Sequence, residues 1–237
     1  DEVLIIQQRF EGLDLQSLNK GDADAKALTV SFYVRSPKTG IHTVALHDPS
    51  NTRYIGSTYT IASADTWEYH SVTFAGDTTG AIPDDNTNGL QLWFFLSAGS
   101  DYTGGTFATS WESYTDANLA HSSQVNVLDS TDNNFYLTGV QMELGSTATN
   151  FEYVSYGENL ARCQRYFNSI PVGTGSAKYA FLISASASGG SYLRNETSYP
   201  VTMRSTTQTN TQTGAGTSGT LLACRNNGEP LGKALPY

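Results

Sequence analysis

The sequence predicts an all-β protein, namely an antiparallel sandwich with one short helix, followed by a smaller β region. Only 15% of the 237 residues are charged, and Ser, Thr, Asn and Gly take the polar positions that Glu, Lys and Arg occupy on helix surfaces. Short segments alternate apolar and polar residues with a period of two. Clusters of Gly, Asp, Asn and Ser separate these segments, as turns separate the strands of a sandwich.

The clearest strand covers residues 27–35, where apolar side chains at alternate positions face one side. The other side carries Thr29, Ser31, Tyr33 and Arg35. A turn at 36–40 leads into an extended segment at 41–47, which together predict a hairpin. Further strands are predicted at 54–61, 67–74, 90–96, 124–128 and 135–144.

Two of these strands depart from simple alternation. The segment 90–96 is apolar on both faces, which is typical of a central strand, and places Trp93 and Phe95 beneath a long loop or against another subunit. In the segment 135–144 the alternation slips around Gly139. That slip predicts a β-bulge or the close approach of another backbone.

The composition changes at Ser155. Ser155 and Glu158 have capping-box spacing, and Leu160, Cys163 and Phe167 recur at helical spacing, so we predict a helix over 157–167. Strands are predicted at 178–184 and 199–204, in a region with few candidates for a core. The predicted parts are a sandwich over 1–154, a helical connector over 155–168 and a dependent C-terminal β region over 169–237, packed on the first part or intertwined in a trimer.

Charge and hydropathy disfavour two classes of partner. The net charge of -9 argues against nucleic acid, because phosphate binding needs clustered Lys and Arg. No stretch approaches the roughly 20 apolar residues of a membrane span, so no membrane insertion is expected. The chain begins at Asp1 without an initiator Met or an export signal, and we expect a trimmed product or a fragment of a longer polypeptide.

Motifs for metal binding and catalysis are weak, so we expect no enzyme, no metal and no cofactor. Cys163 and Cys224 lack metal-ligand spacing; Cys163 is predicted to be a buried free thiol, with a disulfide to Cys224 as the alternative. The segment 84–89 matches the first half of an EF-hand loop, but position twelve is Phe95 rather than Glu. A polar turn is predicted there, with a weak cation site as the alternative.

A ligand site is predicted in the long segment 99–121, because long ordered loops of compact domains tend to be functional. Aromatic rings there can stack on sugar rings, and neighbouring carboxylates can accept hydroxyl hydrogen bonds. The alternative is that Trp111 folds back over Trp93 and Phe95 to cover the sheet. The candidate residues are Tyr102, Trp111, Glu112, Tyr114 and Asp116.

Three ordered motifs go beyond composition: FYLTGVQMELG at 135–145, ATNFE at 148–152 and CQRYF at 163–167. Together they resemble the "TGVQLE-G … ATPFE … CQRYY" signature of phage tail-fibre and virion structural proteins. The segments QQRFEG at 7–12, 28–36 and YPVTMR at 199–204 are similar to other parts of that family. Asn150 stands where the family often has Pro, and the end after Thr220 matches nothing in it.

This resemblance implies a jelly-roll sandwich, similar to carbohydrate-binding modules, on a trimeric fibre of the virion that contacts the host surface. The implied partners are further copies of the chain, other tail proteins and a host-surface glycan. Gln141, Glu143, Gln164 and Arg165 are expected to cap strands and tie the helix to the sheet. The alternatives are a purely structural tail or baseplate connector, and a secreted carbohydrate-binding module of a polysaccharide-degrading enzyme.

Overall fold

The structure, a computed structural model, describes residues 2–167, 186–187, 193–194 and 200–204. The chain forms two units, Asp1–Glu152 and Tyr153–Tyr237. Eight strands build the first unit: β1 (Val3–Glu11), β2 (Leu28–Arg35), β3 (Gly40–Asp48), β4 (Arg53–Ile61), β5 (Glu68–Phe74), β6 (Asn88–Ala98), β7 (Glu112–Ser113) and β8 (Tyr136–Leu144).

Two antiparallel sheets share these strands. One sheet has the order β1-β6-β3-β4-β7 and the other β5-β2-β8. Every pairing within them is antiparallel. The predicted all-β antiparallel sandwich is therefore confirmed, while the jelly-roll connection of its strands stays a prediction.

The main core lies between the two sheets, because alternate apolar side chains of β2, β3, β4, β5 and β6 point toward it. Phe32 of β2 is fully buried there, and its ring meets Tyr59 and Phe94 edge to face, with centroids 4.9 Å apart in both pairs. A short 3-10 helix, Gly12–Leu18, adds Leu15 and Leu18 to the same core. The sandwich is thus held by interdigitated side chains from both sheets.

A second apolar layer covers the outer face of the five-stranded sheet. Trp93 and Phe95 of β6 lie there beside Tyr54, beneath Leu119 and Ala120 of the segment 99–121. This segment contains a helical turn, α1 (Ser100–Thr103), a 3-10 helix, Asp116–Asn118, and strand β7. The prediction that 90–96 is a central strand is confirmed, and of the two places expected for Trp93 and Phe95, beneath a long loop or against another subunit, the structure shows the first.

The predicted strand over 124–128 is wrong. Gln124 makes only an isolated parallel bridge to Ile41, and the chain then enters a 3-10 helix, Val127–Asp129. The side chain of Gln124 uses its hydrogen bonds elsewhere: its Oε1 accepts from the Thr43 amide at 2.7 Å, and its Nε2 donates to the Phe95 carbonyl at 3.3 Å. The short alternating pattern at 124–128 therefore did not distinguish a strand from a loop that is hydrogen-bonded to neighbouring strands.

A pair of histidines, one fully buried and one half-buried, lies between the sheets near the start of β3. His42 is fully buried and stacks on Tyr59 at 5.3 Å, while His70 lies 5.2 Å from the same ring and 3.4 Å from Glu68. Among the described residues, His42 Nδ1 and the Tyr59 hydroxyl have no hydrogen-bond partner. Burial lowers the pKa of His42 and, against the effect of Glu68, that of His70.

We expect the free energy of unfolding to fall as the pH decreases from 7.5 to 5.5. The folded pKa of each histidine lies below the unfolded value of about 6.5, so the unfolded chain binds more protons below that pH. Urea denaturation at the two pH values measures the loss. His42→Phe should reduce the loss, since it removes one titrating group and keeps a flat ring on Tyr59. An equal loss in both proteins would contradict this origin.

The second unit begins with helix α2 (Tyr156–Gln164), whose first turn is capped as predicted, since Ser155 Oγ accepts from the Glu158 amide at 3.3 Å. It ends three residues before the predicted end at 167. No residue of this helix is buried, and Cys163 is exposed and free, so the predicted buried thiol is wrong. Helical spacing shows which side of a helix is apolar, but not whether another segment packs on that side. Cys224 lies outside the described residues.

The remaining described part of this unit is short. Strands β9 (Ser186–Ala187) and β10 (Leu193–Arg194) pair antiparallel. The predicted strand over 178–184 lies outside the described residues. The one over 199–204 is wrong for 200–204, which form bends. There the Arg204 amide donates to the Arg165 carbonyl, and Arg165 Nη1 donates to the Thr202 carbonyl at 3.2 Å. Within the described ranges, no helix has the length and apolar character that crossing a bilayer requires.

Candidate functional site

Two of the predicted site residues, Tyr102 and Tyr114, pack on the outer apolar layer of the five-stranded sheet. The Tyr114 ring lies 6.4 Å from Trp93 and 4.9 Å from His47. Burial and the hydrogen-bonded carboxylate of Asp116 raise the pKa of Tyr114 to about 12. Both tyrosines are half-buried, so much of their ring surface covers the sheet rather than facing a ligand.

Trp111 does not fold back over Trp93 and Phe95, which was the alternative stated from the sequence. Its ring packs against the core between the sheets, and its Nε1 donates to the Ala75 carbonyl at 2.7 Å. Lys20 Nζ lies 5.3 Å from the ring centroid. Tyr114, and not Trp111, is therefore the aromatic residue of this segment that meets Trp93.

The two predicted carboxylates, Glu112 and Asp116, form hydrogen bonds within the segment 99–121 itself. Glu112 lies in β7 opposite Tyr54, and its Oε1 accepts from Asn118 Nδ2 at 2.7 Å. Asp116 begins the 3-10 helix and is hydrogen-bonded to Tyr114. The structure thus brings Tyr114 and Asp116 together, but Glu112 pairs with Asn118.

A different set of aromatic side chains is open to solvent. Tyr33, Trp67, Tyr69 and Tyr136 are 44%, 46%, 49% and 44% exposed, and we call this set the aromatic face. Tyr33 lies directly opposite Tyr69 in the register of β2 and β5, with ring centroids 5.1 Å apart. The rings of Trp67 and Tyr136 are 6.3 Å apart. Two pairs of rings therefore lie side by side on the outer surface of the three-stranded sheet.

The period of the strands explains this placement. In β2, Phe32 and Val34 point into the core, so Tyr33 between them points outward. Trp67 comes directly before β5 and Tyr69 is its second residue, so the two are two positions apart and share one side in the same way. Outward positions of a half-buried strand usually carry polar residues, and here aromatic residues take several of them.

The bulge predicted at Gly139 is confirmed and lies beside the aromatic face. Ser31 pairs with Gln141 but Tyr33 pairs with Thr138, so β8 has an extra residue at this point. Gly139 has φ +58, and a Cβ there would come 3.3 Å from the Tyr33 ring. Glycine therefore provides the left-handed conformation and the room that the Tyr33 ring needs.

Arg35 borders the aromatic face, and Glu68 anchors the strand start that carries two of its rings. The Arg35 guanidinium lies 5.0 Å over the Tyr136 ring. Glu68, between Trp67 and Tyr69, accepts from the backbone amides of Ala62 and Ser63. Partial removal from water raises the pKa of Glu68, but these amides and His70 outweigh that effect and leave the pKa below its usual value. The anchored Glu68 fixes the start of β5 and, with it, the two flanking rings.

The motif residues of β8 hold the chain beside this face. Gln141 Oε1 accepts from the Glu152 amide at 2.8 Å, and Glu143 Oε2 accepts from the Thr149 amide at 3.0 Å. Gln141 and Glu143 therefore have a structural role, as expected, although what they tie to the strand is the segment 149–152. Gln164 is the last residue of α2, and Arg165 follows it.

Residues 84–87 form a polar turn, as predicted, while Asn88 and Gly89 already belong to β6. Asp85 Oδ1 accepts from the Thr87 amide at 2.8 Å, and the Asp85 and Thr87 carbonyls accept from the amides of Leu13 and Gly12. The turn thus fastens the 3-10 helix Gly12–Leu18. Among the described residues, no group of three or more His, Cys, Asp or Glu side chains is placed to hold a metal ion.

Comparison of the chain with family models, with curated proteins and with solved structures found no match. The properties of the site therefore follow from its own residues. Sequence reasoning missed the aromatic face, although one signal pointed to it: aromatic residues stand at outward positions of strands that otherwise alternate. Which strands are neighbours, and hence which rings meet, is settled by the sheet order β5-β2-β8.

Proposed function

We propose that this chain is a component of a phage tail fibre whose sandwich binds a glycan of the host surface through the aromatic face. The observation that carries the proposal is the row of half-exposed rings on the outer face of the three-stranded sheet, Tyr33, Trp67, Tyr69 and Tyr136. Exposed apolar patches of this kind are typical of interaction sites. The assignment to a fibre of the virion is supported by the motifs at 135–167.

A saccharide fits the chemistry of this face. Aromatic rings offer flat apolar surfaces to the C–H side of a sugar ring. Thr138 and Ser71, both exposed, are in register with Tyr33 and Ser31 and place hydroxyls near the rings, while Arg35 adds a donor beside Tyr136. Stacking surfaces with hydrogen-bonding groups at their rim suit a ligand that is apolar on one side and hydroxylated around its edge.

Several copies of the chain in one fibre would allow firm attachment to the host even if each glycan site binds weakly. A shallow face gives an affinity of roughly millimolar to micromolar per site, and a homotrimer that presents several such faces gains by avidity, often by about 100-fold or more. The sandwich in this proposal is a jelly roll like those of carbohydrate-binding modules. The further partners are the other subunits of the fibre and neighbouring tail proteins.

Replacing Trp67 with Ala should weaken glycan binding about tenfold or more. Loss of one stacked ring costs about 1 kcal/mol at a single site, and multivalent binding amplifies that loss. The measurement is a glycan array, followed by adsorption of the protein to whole host cells. Leu13→Ala is the control, because Leu13 is 49% exposed and belongs to the 3-10 helix Gly12–Leu18 of the same unit, outside the aromatic face.

Equal binding by the Trp67→Ala and Leu13→Ala proteins would contradict the role of the aromatic face. A second function, a structural tail connector, is favoured by the same exposed rings, since they also suit contact with another subunit. In that case the array and the adsorption assay would be blank for the unmodified chain, and Trp67→Ala would lower the oligomeric mass measured by light scattering.

A further inference from the structure

A cleft of about 450 Å³ opens at one side of the sandwich, between β4 and β5. β5 is an edge strand of the three-stranded sheet. β4 is covered by β7 only at Arg53 and Tyr54, after which the Gly56 amide donates to the Ala108 carbonyl at 2.6 Å. The segment 99–121 closes the third side of the cleft. Its volume lies within the roughly 300–1,000 Å³ of small-molecule sites.

The walls of the cleft are rich in hydroxyl groups and poor in charge. Five hydroxyl side chains line it, and no Asp, Glu, Lys or Arg is among its described lining residues. Four of the five, all but Thr73, have no hydrogen-bond partner for their hydroxyl within the described part of the chain. The hydroxyl residues are Ser57, Thr58, Thr73, Thr109 and Ser110. Such walls suit a neutral ligand that both donates and accepts hydrogen bonds.

One aromatic ring provides an apolar wall. Phe107 packs so closely on Gly56 that a Cβ on this glycine would come 2.5 Å from the ring. The ring therefore depends on Gly56 for its position, and it stays half-buried at the cleft. A flat apolar surface next to several hydroxyls is an arrangement that sugar rings can use.

A histidine completes the site. His121 lies edge-on to Phe107, with centroids 5.7 Å apart, and its Nδ1 accepts from the Ser123 amide at 3.0 Å. That hydrogen bond selects the tautomer with the proton on Nε2. His121 can therefore donate from Nε2 to an oxygen of a ligand in the cleft.

We propose that this cleft is a second saccharide site, which takes a neutral sugar ring with its apolar side on Phe107 and its hydroxyls toward Thr58, Thr109 and Ser110. The site is distinct from the aromatic face. Thr73 at the cleft and Tyr69 on the face are four residues apart along β5, roughly 13 Å at about 3.3 Å per residue. A single sugar ring cannot occupy both, so this site stands whether or not the aromatic face binds glycan.

The test uses the full chain and the methyl glycosides of glucose, galactose, mannose and N-acetylglucosamine. At least one of them should shift the backbone amide resonances of Gly56, Ser57 and Ser110, and sialic acid, which is anionic, should shift them less. Thr109→Trp fills the cleft and should weaken this binding tenfold or more. Thr115→Trp, a substitution at another exposed position of the same segment, should leave it unchanged.

Ser110→Trp fills the cleft from a neighbouring position and should give the same loss, with thermal unfolding of each variant checked against the unmodified chain. Trp67→Ala should leave these shifts as they are, which separates the cleft from the aromatic face. The proposal is overturned if no neutral glycoside shifts the cleft amides. It is also overturned if the shifts persist in both folded Trp variants, or if sialic acid binds there more tightly than every neutral sugar.

Discussion

Replacing Lys20 with Met is expected to destabilise the sandwich by about 3–5 kcal/mol. The Lys20 ammonium lies 2.6 Å from Asp48 and 3.0 Å from Asp77, and the side chains of the three residues are 4%, 0% and 2% exposed. It also donates to the carbonyls of Thr79 and Gly80 at 3.0 and 2.8 Å. Without the ammonium, two buried carboxylates would lose a countercharge, and this is more costly than losing an ion pair at the surface.

Asp48 should account for most of this loss. Asp77 keeps a second cation, because Arg53 donates to both of its oxygens at 2.5 and 2.9 Å. Asp48 keeps only the neutral donors of Asn51 among its described contacts. The double variant Lys20→Met with Asp48→Asn should therefore be more stable than Lys20→Met alone.

Urea denaturation, followed by tryptophan fluorescence, measures these differences in the free energy of unfolding. Lys26→Met is the matched control, since Lys26 is exposed and its replacement should change stability by no more than about 0.5 kcal/mol. A loss for Lys20→Met as small as that of the control would show that the buried cation is dispensable.

Phe32 and Tyr33, neighbours in β2, should differ in what their replacement affects: stability for Phe32 and glycan binding for Tyr33. Phe32→Ala is expected to cost about 3–5 kcal/mol of stability, because it empties a fully buried position between Tyr59 and Phe94. Tyr33→Ala should cost about 1 kcal/mol or less, since Tyr33 is 44% exposed on the outer surface. Tyr33→Ala should nevertheless reduce glycan binding about tenfold.

The pair is measured by denaturation and by the glycan array on the same preparations. Phe32→Ala tests the core without touching the aromatic face, and Tyr33→Ala tests the face without touching the core. If Tyr33→Ala lowered stability as much as Phe32→Ala and left binding unchanged, Tyr33 would be a packing residue and the face would lose its central ring.

Local patterns predicted most of the strands. The alternation at 27–35 marks β2 almost residue for residue, and the segment 90–96 lies within β6 with both faces covered, as its composition indicates. β1 was not predicted as a strand, because its run of apolar and then polar residues does not alternate. It forms as an edge strand by pairing along β6, with Leu4 and Ile6 each 41% exposed.

The predicted ligand site at 99–121 shows that the composition of a loop does not predict where its side chains point. The segment 99–121 is an ordered loop with aromatic residues, as expected, but its rings turn in two directions. Tyr114 meets Trp93 and Tyr102 packs on the same outer layer, while Trp111 reaches the core between the sheets. A loop that carries several aromatic residues can cover a sheet or bind a ligand, and the choice depends on which apolar surfaces lie within its reach.

The sequence by itself determined the all-β class, the outward position of Tyr33, the irregularity at Gly139 and the cap at Ser155, because each depends on residues a few positions apart. Only the tertiary structure decided that Tyr33, Tyr69 and Tyr136 share one open surface, and that β4 and β5 leave a hydroxyl-lined cleft between them. The physical reason is that strand order and loop direction depend on how the whole unit buries its apolar surface. That burial involves all segments together and cannot be predicted from any short one.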